Sequence, residues 1–254
     1  MKLNRIVTAI LMVNAILVGS ASAAPTKQTE QVMHDYIINN PEVVVQSLQS
    51  YQQKQMDQAH KTIQKTQETA SKFADPLFHQ TNDPMSGNPN GKITVVEFFD
   101  YQCPHCVGMT PVMTGIVKSN PEVRVVYKEF PIRGPASEVA SKAALAAHMQ
   151  GKYLDFQHAL MDNKQLPLTE EIIMGVAKTA GLDVEKLKTD MKGKEVAQQI
   201  KDTYKLAQNL QLMGTPAIFV AKSSVDKTSG PSAVVFVPGQ VTQDQLQEVI
   251  GKIN

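Results

Sequence analysis

Two cysteines, Cys103 and Cys106, stand three positions apart in FFDYQCPHCVGMTP, residues 98–111, and the 254-residue sequence contains no others. A bridge between them closes a loop of about four residues, which constrains the unfolded chain far less than a long-range disulfide does. The pair is therefore read for its redox chemistry before its use as a staple. Pro104 is a residue favoured at the first position inside a helix, and that placement makes Cys103 the N-cap. A side chain there accepts hydrogen bonds from the free N–H groups of His105 and Cys106; a thiolate accepts them well and a neutral thiol poorly. The helix dipole adds up to about 2 kcal/mol in favourable geometry, roughly 1.5 pKa units, and a protonated His105 adds more. The expectation is an acidic, exposed nucleophile at Cys103. Cys106 falls at the third helical position, covered by the turn before it and placed to resolve a mixed disulfide formed at Cys103. The oxidised pair has no charge to stabilise, so an acidic first thiol makes the pair oxidising.

Other uses of paired thiols fit less well. Covalent haem attachment requires a His directly after the second Cys, and residue 107 is Val. A structural zinc site needs about four ligands, yet there is no second Cys pair and the six histidines include no H-x3-5-H pair. Capture of a soft metal such as Cu(I) by the two thiolates stays open. Exchange chemistry itself calls for no cofactor.

These thiols need a strand that ends where a helix begins. KITVVEFFDY, residues 92–101, alternates and is rich in β-formers, so it reads as a strand. A helix to about Lys118 and a second strand, VRVVYKEFPI, complete a βαβ unit. From Pro135 to about Leu212 the apolar residues recur at three and four, with Gly or Pro between several segments, as in a helical subdomain. The chain then returns to strands in TPAIFVA and AVVFVPG and ends in an amphipathic helix, TQDQLQEVIGKIN. The pattern is α/β, one sheet with a helical insertion over about 135–212. Lys128 and Glu129 on the second strand either influence the site or are solvated strand residues.

The rest of the chain sets the context. Lys plus Arg total 25 against 24 for Asp plus Glu, a net of +1, so no global field draws nucleic acid. A hydrophobic fraction of 42% fills a proper core. Residues 1–23, MKLNRIVTAILMVNAILVGSASA, have the basic start, apolar run and small-x-small end of a secretory leader cut after Ala23. As a membrane anchor the run is shorter than the ~20 residues that span a bilayer, and Asn14 interrupts it. Residues 24–81 are Gln- and Lys-rich, with a short helix, a break at Asn39-Asn40-Pro41 and a long helix from Glu42. Its apolar stripe is too narrow for a core and suits a two-chain seam, the alternative being a solvated helix. The Pro/Gly/Asn-rich NDPMSGNPNG, residues 82–91, marks the boundary with a domain over 82–254.

With an export leader, VVEFFDYQCPHC at a strand-to-helix junction and GTPAIF about 110 residues later, residues 83–254 resemble the DsbA-like thiol:disulfide oxidoreductases of the bacterial periplasm. The resemblance implies a thioredoxin fold with an inserted helical domain. It implies Cys103 and Cys106 as the redox pair, Pro104 and His105 as the tuning dipeptide, and Glu97 as a buried acid assisting proton transfer at the resolving thiol. Val95 and Phe99 share the Glu97 face by period 2, so a buried carboxyl there has a raised pKa; the alternative is an exposed strand residue. Pro216 matches the family's cis-proline beside the disulfide, next to backbone that pairs with a substrate strand. Thr215 is similar to the residue of isomerase relatives, where the monomeric oxidase often has Val. The N-terminal extension is similar to the dimerisation region of periplasmic isomerases. The implied partners are exported proteins with cysteines, a membrane redox partner and a second copy of the chain in a homodimer. The implied activity is oxidation, isomerisation or both, and the competing class is a soft-metal-binding or chaperone-like dimer.

Overall fold

The structure, a computed structural model, describes residues 26–253. The leader and its cleavage after Ala23 lie outside the described residues. Among the described residues no helix is long and apolar enough to cross a membrane.

The chain divides into two compact units at Gln55 and Met56. In the first, Thr26 caps α1 (Lys27–Asn39) by accepting from the Thr29 N–H at 3.2 Å. Asn40 leaves the helical region, as a residue before proline tends to, and Pro41 opens α2 (Pro41–Thr69). Val32, Met33, Tyr36 and Ile37 on α1, with Val44, Val45, Leu48 and Tyr51 on α2, recur at helical spacing and remain 41–63% exposed. α1 buries no residue.

The end of α2 belongs to the second unit. Thr66 Oγ1 donates to the Leu210 carbonyl at 2.7 Å, and the Gln67 side chain pairs with the backbone of an edge strand through Phe236 N–H and the Val234 carbonyl. That pairing covers groups an edge strand otherwise presents to other chains. A 3-10 turn at Ala70–Phe73 and α3 (Ala74–Phe78) then press Ala70, Ala74, Leu77 and Phe78 onto the sheet. The packing therefore changes at residue 55–56, earlier than the composition break at 81–82, because apolar residues past Thr66 turn inward.

The sheet has five strands in the order β1-β3-β2-β4-β5. β2 (Ile93–Phe99) and β3 (Val123–Glu129) are parallel and joined by α4 (Pro104–Ser119), with Glu97 opposite Tyr127 and Phe99 opposite Glu129. β4 (Ala217–Lys222) runs antiparallel to β2, and β5 (Val234–Pro238) antiparallel to β4. The residues read as a linker contain β1 (Met85–Gly87), a short antiparallel edge beside β3 that the Pro and Gly content conceals. Between β3 and β4 lie α5 (Pro135–Met149), α6 (Tyr153–Met161), α7 (Glu170–Thr179), α8 (Val184–Asp190) and α9 (Lys194–Asn209). The chain ends in α10 (Gln243–Ile253).

Every residue of β2 is buried. On one face Val95, Phe99, Val125 and Tyr127 meet Met109 and Met113 of α4, Phe156 and Leu160 of α6, and Leu246 and Ile250 of α10. On the other, Val96, Phe98, Val126 and Phe219 meet the α3 segment, Leu206 and Leu210. Both faces being covered, β2 carries almost no polar alternation. Neither Lys128 nor Glu129 is a solvated strand residue: they are 3% and 2% exposed, on opposite faces. Lys128 pairs with Asp83 and donates to the Pro76 carbonyl at 2.7 Å on the face away from the cysteines. Burial pushes the Lys128 pKa down and the Asp83 pKa up, although their mutual attraction opposes both shifts.

Candidate active site

Asp100, at the end of β2, is fully buried and shapes the turn into α4. Its Oδ1 accepts from Gln102 N–H and Ser137 Oγ, each at 2.7 Å, and its Oδ2 accepts from Arg133 N–H at 2.9 Å. One carboxyl thus ties the turn to the start of the helical insertion. Its carbonyl accepts the Cys103 N–H at 3.1 Å. Cys103 is the extended N-cap of α4 and Pro104 opens the helix, the placement read from CPHC.

Cys103 is not exposed, contrary to the expectation of an exposed nucleophile: it has no accessible surface. The cover comes from a segment 112 residues away, since its Sγ donates to the Thr215 carbonyl at 3.3 Å. Nor does the Sγ accept a capping hydrogen bond. The thiol is still more acidic than usual. Burial works against the thiolate, but the Thr215 side chain, the Cys106 amide and thiol and the His105 amide together outweigh it. The amides act as the dipole end of α4 without closing cap geometry.

Cys106 is buried and its thiol is held well above the ordinary value. Burial is the main cause, and the charges of Glu97 and Cys103 add to it, against the Thr215 side chain and the Asp100 backbone. Both sulfurs are free thiols. Glu97 is 3% exposed, on the same sheet face as the cysteines, and its carboxyl is pushed up to about 8 by burial, then by Cys103 and Glu129. Glu129 adds a second buried acid there. Its Oε1 accepts from Tyr153 at 2.7 Å and Tyr101 at 2.9 Å, its Oε2 has no partner, and burial pushes it up to about 8.

Thr215 and Pro216 precede β4 and face the mouth of α4. The Thr215–Pro216 bond is cis. The Thr215 hydroxyl is buried and makes no hydrogen bond, and the Thr215 side chain is among the influences that lower both thiols. The structure thus brings together Glu97, Cys103, Pro104, His105, Cys106, Thr215 and Pro216. Beside them is an open hollow of about 710 Å³ lined by His105, Val112, Thr215, Pro216 and Gln240 among others. His105 is exposed, and its Nδ1 lies 3.0 Å from Gln240 Oε1. Sequence reasoning missed Gln240, which no motif marks. It also missed Asp100, whose one signal is an acid at the end of an apolar strand.

A parallel β2–α4–β3 unit with a Cys-x-x-Cys at the helix mouth, an antiparallel hairpin and a helical insertion define the chain as a thioredoxin-like protein of the disulfide-exchange class. Residues 94–251 match the DSBA-like thioredoxin domain, and the chain belongs to that family. Residues 26–58 match the copper resistance protein ScsC N-terminal domain. A thioredoxin-like oxidoreductase from Silicibacter pomeroyi DSS-3 is 42% identical with a TM-score of 0.63, over 70% of this chain and 95% of that one. BcfH of Salmonella enterica Typhimurium is 30% identical with a TM-score of 0.66, over 89% of this chain and 94% of that one. The probable disulfide bond formation protein D of Bacillus anthracis is 24% identical, over 57% of this chain and 72% of that one. The chain spans only 21% of the length of another curated relative, the Na(+)/H(+) antiporter NhaA 1 of Salinispora arenicola, which is 28% identical over 54% of this chain.

Proposed function

We propose that this chain is an exported periplasmic thiol:disulfide oxidoreductase that forms or isomerises disulfide bonds in exported proteins through its CPHC pair. One observation carries the reading: Cys103 stands at the mouth of α4 against the cis Thr215–Pro216 segment while Cys106 lies buried one turn further in, and the first thiol is held low and the second high. A pair so divided has an attacking sulfur and a resolving one.

In the oxidising direction a client thiolate attacks Cys103 Sγ of the Cys103–Cys106 disulfide. The client–Cys103 bond forms, the Cys103–Cys106 bond breaks, and Cys106 leaves and takes a proton that Glu97 supplies. A second client thiolate then attacks the client sulfur of the mixed disulfide and expels Cys103 as a thiolate. The client loses two electrons and two protons; the pair gains the two electrons and the proton from Glu97, one client proton reloads Glu97, and the other passes to solvent. In isomerisation the Cys103 thiolate attacks a client disulfide and no net electrons move. The Thr215–Pro216 segment receives the client strand. A membrane redox partner resets the pair, and the leader-like pattern of residues 1–23 supports the compartment.

The uncovered apolar stripes of α1 and the first half of α2 support self-association as a homodimer, since exposed apolar stripes gain stability from a partner's stripe. A competing reading, thiol capture of a soft metal by a chaperone-like dimer, draws on the name of the domain matched by residues 26–58.

One experiment separates the two. A Cys106→Ala variant accumulates mixed disulfides with scrambled, disulfide-containing ribonuclease A, and a Cys103→Ala variant loses exchange. Absence of both effects, with Cu(I) protecting the two thiols stoichiometrically from alkylation, overturns the enzyme reading.

A further inference from the structure

The loop after β5 is pinned to the site on both sides of one residue. Gly239, at φ +80, donates its N–H to the Pro216 carbonyl at 2.9 Å, and the Val241 N–H meets Met109 Sδ of α4 at 3.4 Å. Gln240 is thereby suspended between the proline segment and the active-site helix. Its Oε1 lies 3.0 Å from His105 Nδ1. Its Nε2 lies over Gly108, where a built Cβ would come within 2.2 Å of that nitrogen and 3.0 Å of Cδ. A helix-interior glycine costs stability relative to alanine, so this one exchanges helix propensity for room.

We propose that Gln240 is a positioning residue for the exchange reaction: its amide oxygen holds the His105 ring at the mouth of α4, and Gly108 provides the space that lets it do so. The inference rests on the exchange reading. An amide oxygen at Nδ1 requires the hydrogen on that nitrogen in the neutral ring and binds the cationic ring more strongly, because a charged donor makes the stronger hydrogen bond. A cation held at the helix mouth favours the Cys103 thiolate. No other ionisable side chain competes in the hollow, since the remaining lining residues are Val112, Thr215, Pro216, Gly239, Val241, Thr242, Gln243 and Gln245 beside Gln240 itself. The groups that face Cys103 from elsewhere are Glu97 on β2, Cys106 on α4 and Thr215 ahead of β4.

The test uses the full chain and four substitutions. Thiolate absorbance at 240 nm is titrated, and the equilibrium constant with glutathione is measured in parallel. Gln240→Ala and Gly108→Ala each move the Cys103 titration upward by about 0.5 unit, a roughly threefold change in the equilibrium constant, because both empty the position beside Nδ1. Gly108→Ala does this while raising the melting temperature, a combination that damage to the fold does not give. Gln240→Glu moves the titration downward. In a His105→Ala background neither Gln240→Ala nor Gly108→Ala has an effect. If the parent exchanges with glutathione but the Gln240 variants titrate as it does, or if their shifts persist without His105, the inference is overturned and the exchange reading stands. If the parent does not exchange, the functional reading falls and takes the inference with it.

Discussion

Cys103 Sγ lies 3.3 Å from the carbonyl oxygen of Thr215, and the side chain of the same threonine favours the thiolate. The two groups act oppositely. The carbonyl accepts from the thiol and favours the protonated form, whereas the hydroxyl donates to a thiolate and favours the charged one.

Replacing Thr215 by Val keeps the carbonyl and the side-chain shape but removes the donor. Thr215→Val should raise the titration of Cys103 by about one unit, the scale of a hydrogen bond to a charged group, and make the pair less oxidising. Cys106 should move the same way, since the hydroxyl lowers both thiols. Thiolate absorbance and the glutathione equilibrium check both. An unchanged titration would mean that the hydroxyl does not act on the sulfur.

Glu97 makes stability depend on pH. Its carboxyl sits at about 8 in the folded chain against an ordinary 4.5, so the folded state holds a proton there that the unfolded state releases. The stabilisation is complete below about pH 4.5 and is lost as pH rises through about 8, at a scale of ~1.4 kcal/mol per unit of difference. Glu129, also at about 8, slopes in the same sense. Glu97→Gln should therefore flatten the fall in unfolding free energy between pH 5 and pH 8.5, measured by urea titration at each pH. A slope equal to the parent's contradicts a protonated Glu97.

Much of this was legible before the coordinates. Pro104 placed the start of α4, the apolar runs placed β2, β3, β4 and β5, and Asn39-Asn40-Pro41 placed the break between α1 and α2. These are local signals, and local chemistry decides them. What escaped is long-range. The burial of Cys103 depends on a carbonyl 112 residues away. Gln240 reaches His105 only because β5 lies beside β4 and Gly108 leaves room. β1 is a strand through its pairing with β3, despite residues of turn type. Lys128 is one of three polar side chains in VRVVYKEFPI and looks solvated until Asp83, inside the run read as linker, is seen to be its partner.

That buried pair yields a test independent of the redox site. Lys128 and Asp83 have side chains 3% and 5% exposed, on the sheet face opposite the cysteines. Lys128→Met leaves Asp83 buried and unpaired, and should cost about 3–5 kcal/mol of unfolding free energy. The double variant Lys128→Met/Asp83→Asn should recover most of that loss, because no buried charge remains. In both, the Cys103 titration should match the parent at temperatures where the protein is folded. Denaturant unfolding of the three proteins checks the energetic half, and a single variant as stable as the parent would show that the pair is not desolvated.

The apolar stripe of α2 bears on assembly. Val45 and Leu48 lie on adjacent turns and are 54% and 55% exposed, so more than half of each side chain is left for a partner to cover. Introducing Val45→Asp and Leu48→Asp together should leave the melting temperature of the catalytic unit and the Cys103 titration unchanged, while sedimentation velocity at micromolar concentration should shift from the proposed homodimer to the monomer. Isomerisation of scrambled ribonuclease A should fall severalfold, because two sites on one assembly meet a client at raised effective concentration. Oxidation of a short dithiol peptide, which needs a single site, should not change. A parent that sediments as a monomer at these concentrations refutes the seam, and a double variant that still associates moves it to another face.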